Sequence, residues 1–517
     1  MTEPIPFNRI AIRLNPQDNV AIARQVIPAG KVIDLEGQFL HIGAEVPVGH
    51  KFALSAIPAG GEVRRYGYSI GCASHDIAHG EWVHTHNIAV GQVEHAYRYT
   101  VVESPAWLPA RQRTFMGYPR PDGRVGTRNF VAVIASVNCS AFVASRIAAH
   151  FTPEHLAAFP NVDGVIALIH HSGCSIPLDS RAYEYLQRTL HNAAHNPNVA
   201  AFVVVGLGCE VNQIEPCFGV TAERLAGLNP AGANDAYLVI QECGGAEGSI
   251  RAGIAAVERL LPQANDVQRV EQPASKLVLA TECGGSDAWS GVTANPVVGL
   301  AADAVVMQGG TAILSETSEV FGAEHLLMSR VTSAAVGEKL IACFQGWNEL
   351  AARYGFSIDN NPSPGNKVGG LTTIFEKSLG AVSKGGSTPL NGVYFYAETI
   401  DRSGLVFMDT PGNDPASITG MIAGGANLVL FTTGRGSVFG GSLVPTLKVA
   451  SNSAMFVKME ADMDFNAGAV LDGLSLAEAS ERLFDLLLAT ASGQPSQAER
   501  LGPHEQEFVP WVPGGLL

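Results

Sequence analysis

The sequence predicts an α/β protein in which a small β-rich N-terminal domain precedes two α/β domains with largely parallel sheets. Three observations carry that expectation. Short strand-like runs broken by Pro-Gly turns fill the first ninety or so positions. Continuous apolar runs of strand length, spaced widely enough for helices, fill the remainder. The chain also carries 56 glycines, many in pairs directly after apolar runs, where backbone turns tightly or approaches a ligand. With 517 residues, 46% of them hydrophobic and 16% charged, the chain can bury several cores, and about 150 residues per domain gives roughly three.

Residues 1–92 contain the runs Asn19–Ala23, Lys31–Leu35 and Gly49–Leu54 and twin Ile-Pro-Ala-Gly turns at Ile27 and Ile57. Residues 93–113 are aromatic and polar, with prolines and no periodicity, which predicts a linker lying across a neighbour. Residues 114–270 form the first α/β domain, on the runs Phe130–Val137, Val165–Ile169 and Ala201–Gly206. Unbroken apolar runs mean strands covered on both faces, as in parallel sheets. A divider rich in Gln, Glu and Ala near 255–275 precedes the second, 271–517, whose expected strands are Lys276–Ala280, Ala304–Met307, Gly404–Met408 and Asn427–Phe431. The tail from Gly493 is expected to drape over a surface.

Lys and Arg number 33 against 48 Asp and Glu, a net charge of -15, which argues against partners that are polyanions, whether nucleic acid or anionic membrane. No apolar stretch approaches the ~20 residues of a membrane helix, and the first ten residues lack a basic region followed by an apolar one. Eight cysteines are too few for a disulfide scaffold. A cytoplasmic protein is expected, with association into a homo-oligomer left open.

Three groups of residues suit chemistry. His84 and His86 are two apart, share a face if the segment is an extended strand, and can chelate a transition metal or simply form a hydrogen-bonded pair. Cys139, Cys174 and Cys209 each follow a strand-like run, and Cys283 makes a fourth such turn. At the carboxyl ends of parallel strands they can line one pocket and bind a metal or cluster, or they can be small residues fitting tight turns. No CxxC spacing accompanies them. The Gly- and Asn-rich loops Asn361–Lys367, Pro411–Asp414 and Thr433–Ser437 suit an anionic, oxygen-rich small molecule, and Arg435 suits a carboxylate. No phosphate-cradling loop of the nucleotide-binding kind is present.

Taken in order, Gly117–Asn129, Gly206–Glu210, Glu282–Asp287, Gly291–Pro296, Asn361–Lys367 and Thr433–Gly436 resemble the motifs of the altronate/galactarate dehydratase family over nearly the whole chain. The N-terminal segment is similar to that family's SAF domain. Trp82–Asn87, Phe321–Glu324 and Pro411–Asp414 lean toward the altronate branch, whereas Phe439, standing where the family usually has tyrosine, and the spacing around it lean toward the galactarate branch. Relatives that eliminate sulfite from sulfolactate divide these regions between two subunits.

The resemblance implies loss of water from a sugar acid, giving a 2-keto-3-deoxy acid, with iron(II), manganese(II) or another divalent ion as cofactor and an iron–sulfur cluster as a further option. Abstracting the C2 proton beside a carboxylate builds charge that an electrophile must hold. The expected metal ligands are His84, His86, Glu210 and Asp287, with Cys139, Cys174, Cys209 and Cys283 as the competing set. His170, His171 and Lys367 are the candidate bases, since imidazole titrates near neutrality and a desolvated lysine can be brought there. Arg435, Asn366 and Ser286 are the candidates for gripping carboxylate and hydroxyls. A lysine Schiff-base aldolase centred on Lys367 and a sugar-acid sensor without turnover are the rival readings.

Overall fold

The computed structural model describes residues 4–91, 97–103, 111–225 and 233–514. Up to Ala89 the strands are short and mostly antiparallel, in one four-stranded and two three-stranded sheets. The twin turns place Gly30 and Gly60 in the left-handed region, φ +80° and +76°, and a third turn that the sequence pattern had not flagged, Ile77–Gly80, does the same at φ +77°. Only glycine takes that backbone without strain. Each turn seats its isoleucine (Ile27, Ile57 or Ile77) in a core. Val63, Ile70, Ile77 and Val83 share that core with Leu279, Val297, Leu314 and Phe407, so this domain is packed into the C-terminal one.

The expected linker lies partly outside the described residues, at 92–96 and 104–110. Its described part runs along the C-terminal domain, with Val101 bridged to Val331 and the Thr100 N–H donating to Met328 O at 2.8 Å.

The second domain is a four-stranded, wholly parallel sheet in the order Gly164–Leu168, Phe130–Ala135, Val199–Gly206, Asp235–Val239. Phe130–Ala135 is buried at every position. Ile134, Leu168 and Phe202 pack toward the C-terminal domain. Val131, Val133 and Ala135 share a core with residues of the helices Ala141–Ala148 and Gly245–Asn265 on the other face. The divider read near 255–275 is not all loop. Its first half is helix, with Ala256, Val257, Leu260, Leu261 and Ala264 as the buried stripe and the Gln and Glu residues on the outer face.

The C-terminal sheet has seven parallel strands in the order Leu390–Tyr394, Gly404–Met408, Thr311–Leu314, Val278–Cys283, Leu428–Thr433, Thr446–Ala450, Phe465–Asn466. Ala304–Met307, expected as a strand, closes the helix Ala294–Met307, and the strand is Thr311–Leu314. That helix is enclosed on nearly all sides and has no polar face, so its apolar run resembles a buried strand. The tail clamps two domains: Trp511 stacks on Trp347 of helix Ala334–Tyr354 (5.5 Å) and on Tyr185 of helix Arg181–Ala194 (5.4 Å).

Candidate active site

Strands of the C-terminal sheet deliver Cys283, Glu316 and Asp414 to one edge, where the crevice of an open parallel sheet lies. Behind that edge stands a buried cluster of acids and lysines. Lys384 Nζ donates to Glu316, and Lys377 Nζ donates to Glu319 Oε1 (2.6 Å) and to Asn361 Oδ1 (2.8 Å). The Cys283 thiol lies 3.4 Å from Glu319 and 3.8 Å from Glu316. Glu282 accepts from Ser417 Oγ at 2.7 Å through one oxygen, while its other oxygen is buried without a partner. A cavity of about 320 Å³ opens onto the cluster between Cys283, Glu319, Lys377, Asp414, Asn361 and Asn366. That is near the lower bound for a site that swallows a small ligand.

The charges sort themselves by surroundings. Burial pushes Glu282 well up, and Glu316 beside it adds to the effect, so the surroundings favour its neutral form. Asp414 is raised to about 7 by burial and by the Glu316 and Glu319 carboxylates. Burial opposes ionisation of Glu319 as well, but Lys377 and Lys384 outweigh it and hold Glu319 below the usual range. Lys377 resists its own burial because Glu319 holds the proton on it. The site therefore offers an ammonium, a carboxylate and a carboxylic acid around one cavity.

Two sets of three ligand atoms here, Cys283/Glu316/Glu319 and Glu282/Glu316/Asp414, lie within 4.8 Å of one another. The two ammonium groups already neutralise Glu316 and Glu319, which supplies the positive charge a cation would bring. Gly284 is required for this closeness, since a β-carbon there would fall on the Asp414 carboxylate.

The loop Gly284–Asp287 separates this cavity from a second one, about 660 Å³, between the N- and C-terminal domains and lined by His50, Asp287, Trp289, Arg435 and Lys458. Arg435 is exposed there, and among the described residues no carboxylate pairs with its guanidinium. Asp287 Oδ1 accepts from Trp289 N, Ser290 N, Ser290 Oγ and Ser451 Oγ and its Oδ2 from Asn452 Nδ2, at 2.8–3.0 Å, so it braces the loop. Asn366 donates to Ser286 O at 2.8 Å and caps the short helix Pro364–Val368, which places both residues at the wall between the cavities. Lys367 is only half-buried and lines neither cavity. The desolvated lysines at the acid cluster are Lys377 and Lys384 instead.

His84 and His86 do not share a strand face. The strand ends at Val83, and Asn87 Oδ1 accepts from the His84 N–H (2.9 Å) to turn the chain. His84 stacks on Trp82 and lies 4.7 Å from the His50 ring, whereas His86 is exposed, its ring 4.9 Å from that of Trp82. Burial, with Lys51 and His50 nearby, lowers His84 to about 3, and its Nδ1 is buried without a partner.

In the second domain, His170 is buried and lowered to about 4 by burial. Both its nitrogens are engaged, Nε2 with Ala135 O (3.0 Å) and Nδ1 with the Ser172 N–H (3.1 Å), which leaves neither for a substrate proton. His171 is exposed. Glu210 accepts from Leu207 N, Gly208 N and Ser136 Oγ and braces the loop carrying Cys209. The expected ligand set His84, His86, Glu210, Asp287 is thus spread over three places, and its two carboxylates serve to brace loops. Of the competing set, Cys139, Cys174 and Cys209 gather at one sheet edge, and Cys283 belongs to the acid cluster.

The sequence reading passed over Glu316, Glu319, Lys377 and Lys384. The available signal was charge inside apolar surroundings: Glu376 and Lys377 interrupt the helix Ile374–Ala381, which is buried at every position.

Three family models match in succession: the altronate/galactarate dehydratase SAF domain over residues 9–91, the second domain of D-galactarate dehydratase/altronate hydrolase over 117–265, and the D-galactarate/altronate dehydratase C-terminal domain over 274–515. Altronate dehydratase of Escherichia coli is 35% identical over 95% of this chain and 96% of its own length. Galactarate dehydratase (L-threo-forming) of the same organism is 35% identical over 91% of each. The (2R)-sulfolactate sulfo-lyase subunit beta of Chromohalobacter salexigens is 34% identical over 78% of this chain and 98% of its own length.

Proposed function

The chain belongs to the D-galactarate/altronate dehydratase family and is a hydro-lyase by that membership, and from this premise we propose that it removes water from an altronate-like aldonate to give a 2-keto-3-deoxy acid. The observation that carries the placement is the 320 Å³ cavity onto which Lys377, Glu319 and Asp414 open. Lys377 is the fixed positive charge against which a substrate carboxylate rests as its C2 proton leaves. Glu319, kept ionised, is the group suited to take that proton. Asp414, protonated below about pH 7, is suited to give one to the departing C3 hydroxyl. Asn361 and Asn366 offer amides to the remaining hydroxyls.

Iron(II), or manganese(II), is part of the proposal. When bound it would supply a Lewis acid for a carboxylate or hydroxyl oxygen. An aldarate such as galactarate is the second substrate reading, favoured by the equal identity to relatives of both names. The test is a screen of hexonates and hexarates for 2-keto-3-deoxy acid, with and without iron(II) under reducing conditions, on the native chain and on Lys377→Met. Turnover of altronate that Lys377→Met lacks supports the reading. No dehydration of any sugar acid, or unaltered turnover in Lys377→Met, sinks it.

A further inference from the structure

The helix Arg181–Ala194 carries His191 in its last turn and is capped by His195. Four residues apart, the two imidazoles share one face of the helix, the spacing at which a helix can chelate a metal ion through two rings. Their ring centroids lie 4.5 Å apart, with 31° between the planes. Each ring is fixed from behind by a carbonyl. His191 Nδ1 donates to Cys217 O at 3.1 Å, and His195 Nδ1 donates to His191 O at 2.7 Å, one of the last four carbonyls of the helix. A carbonyl oxygen can only accept, so in both neutral rings Nδ1 carries the proton and Nε2 the lone pair. Among the described residues neither Nε2 has a hydrogen-bond partner. Burial, with His195 beside it, lowers His191 and keeps that ring neutral near pH 7. Phe202 stands edge-on to the His195 ring at 5.5 Å, and Phe218 lies 6.1 Å from that of His191. His150 and His155 make a similarly close pair at 4.7 Å, but there the His155 Nδ1 accepts from the Thr152 N–H at 3.4 Å, so its lone pair is turned to its own backbone.

We propose that His191 and His195 form a binding site for a borderline divalent ion, nickel(II) or copper(II), at the carboxyl end of this helix and apart from the dehydration chemistry. The ring spacing selects the ion. With the metal about 2.0–2.1 Å from each nitrogen, two imidazole centroids lie about 4.5 Å apart when the ligands meet at a right angle and about 5.2 Å apart at the tetrahedral angle. The observed 4.5 Å fits the right angle of a tetragonal site, which copper(II) and nickel(II) favour over zinc(II). Iron(II) and manganese(II) stand lower in affinity for nitrogen sites of this kind. The helix macrodipole places partial negative charge at this end and so favours a cation there. The chain supplies two ligands, and the remaining positions fall to water. The neighbouring Asn196 donates through Nδ2 to Ile422 O (2.8 Å) and Ala426 O (2.9 Å) of the C-terminal domain. An ion chelated across the last turn therefore holds the helix end that carries this junction, and its binding stabilises the folded chain by mass action.

The experiment is calorimetric titration of the full chain, freed of metal by a chelator, with nickel(II), together with melting temperatures measured with and without the ion. Nickel(II) is the probe because copper(II) would also oxidise the exposed thiols. Nickel taken up by those thiols is common to every variant and cancels in the comparison. The native chain should bind one nickel(II) that His191→Ala and His195→Ala each hold at least about tenfold more weakly. The ion should raise the melting temperature of the native chain and leave those of the two variants where they were. His155→Ala and His86→Ala should match the native chain in both measurements. Because His195 is exposed, His195→Ala should melt with the native chain in the absence of metal, which keeps the test decisive should His191→Ala fold poorly. Nickel binding unchanged in His195→Ala, or weakened equally in His155→Ala, overturns the proposal. No sugar acid enters these measurements, so failure of the substrate screen would leave them unmoved.

Discussion

Glu316 is held at φ +64°, a left-handed backbone that costs a residue with a β-carbon of order 1 kcal/mol and persists only where its surroundings dictate it. Its N–H donates to Thr410 Oγ1 at 2.8 Å, and its carboxylate takes Lys384 and lies against Cys283. The strain keeps a negative charge beside Asp414 and so keeps the Asp414 proton available near neutrality. Because the acid must be protonated to act, activity should fall as pH rises through about 7, and Asp414→Asn should lower kcat by at least about a hundredfold and remove that alkaline limb. A pH–rate profile of kcat on both proteins checks this. Arg435 sits on the other cavity, with no acidic partner among the described residues, so Arg435→Lys tests whether a substrate carboxylate reaches it. An aldonate, whose single carboxylate rests on Lys377, should keep most of its kcat/KM, whereas an aldarate whose second carboxylate is gripped by Arg435 should lose about thirtyfold at unchanged melting temperature. Motifs such as Glu282–Asp287 and Asn361–Lys367 were legible because glycine and asparagine mark ligand loops in the chain itself. Lys377 was not, because its role depends on burial, which one sequence does not display.

The helix Ile374–Ala381 does two jobs with adjacent residues. Lys377 serves the cavity, and Glu376 reaches the N-terminal domain, where Lys51 Nζ (2.8 Å) and Arg65 Nη1 both pair with it. All three side chains are essentially inaccessible. Burial alone would raise Glu376, yet the two cations pull it down to about 2, while burial lowers Lys51 to about 8. Removing the carboxylate strands two buried cations, so Glu376→Gln should cost about 3–5 kcal/mol. The folded value of Glu376 lies below its ordinary 4.5, so its contribution is complete above about pH 4.5 and is lost as pH falls toward 2. Urea unfolding of the native chain should therefore weaken by about 3 kcal/mol across that window, and Glu376→Gln should lack that part of the slope. A helix buried on every side leaves no polar stripe to read, which is also why Ala304–Met307 passes for a strand.

At the scale of the whole molecule, the N-terminal domain behaves as a docked subunit joined by chain. Beyond the ion triad, Arg65 donates to Ala288 O at 2.6 Å, Lys51 to Gly370 O at 2.7 Å, and Thr373 Oγ1 to Ile70 O at 2.5 Å, around the shared core of Val63, Ile70 and Leu279. The Chromohalobacter relative is a subunit covered to 98% of its length by 78% of this chain. The contacts that matter are then those across the docking face, and the covalent link adds mainly effective concentration. Residues 1–91 and 97–517 expressed as two polypeptides should copurify and regain most of the kcat/KM of the intact chain. Lys51→Met with Arg65→Met in the small piece should abolish copurification, because Glu376 would lie buried without a partner in the assembled state. The large piece alone should melt well below the intact chain, since docking covers Leu279 and the Glu376 site. A large piece that is as heat-stable as the full chain, or a pair that assembles despite the double substitution, would show that the triad and shared core contribute little, and that the domains are held by their linker.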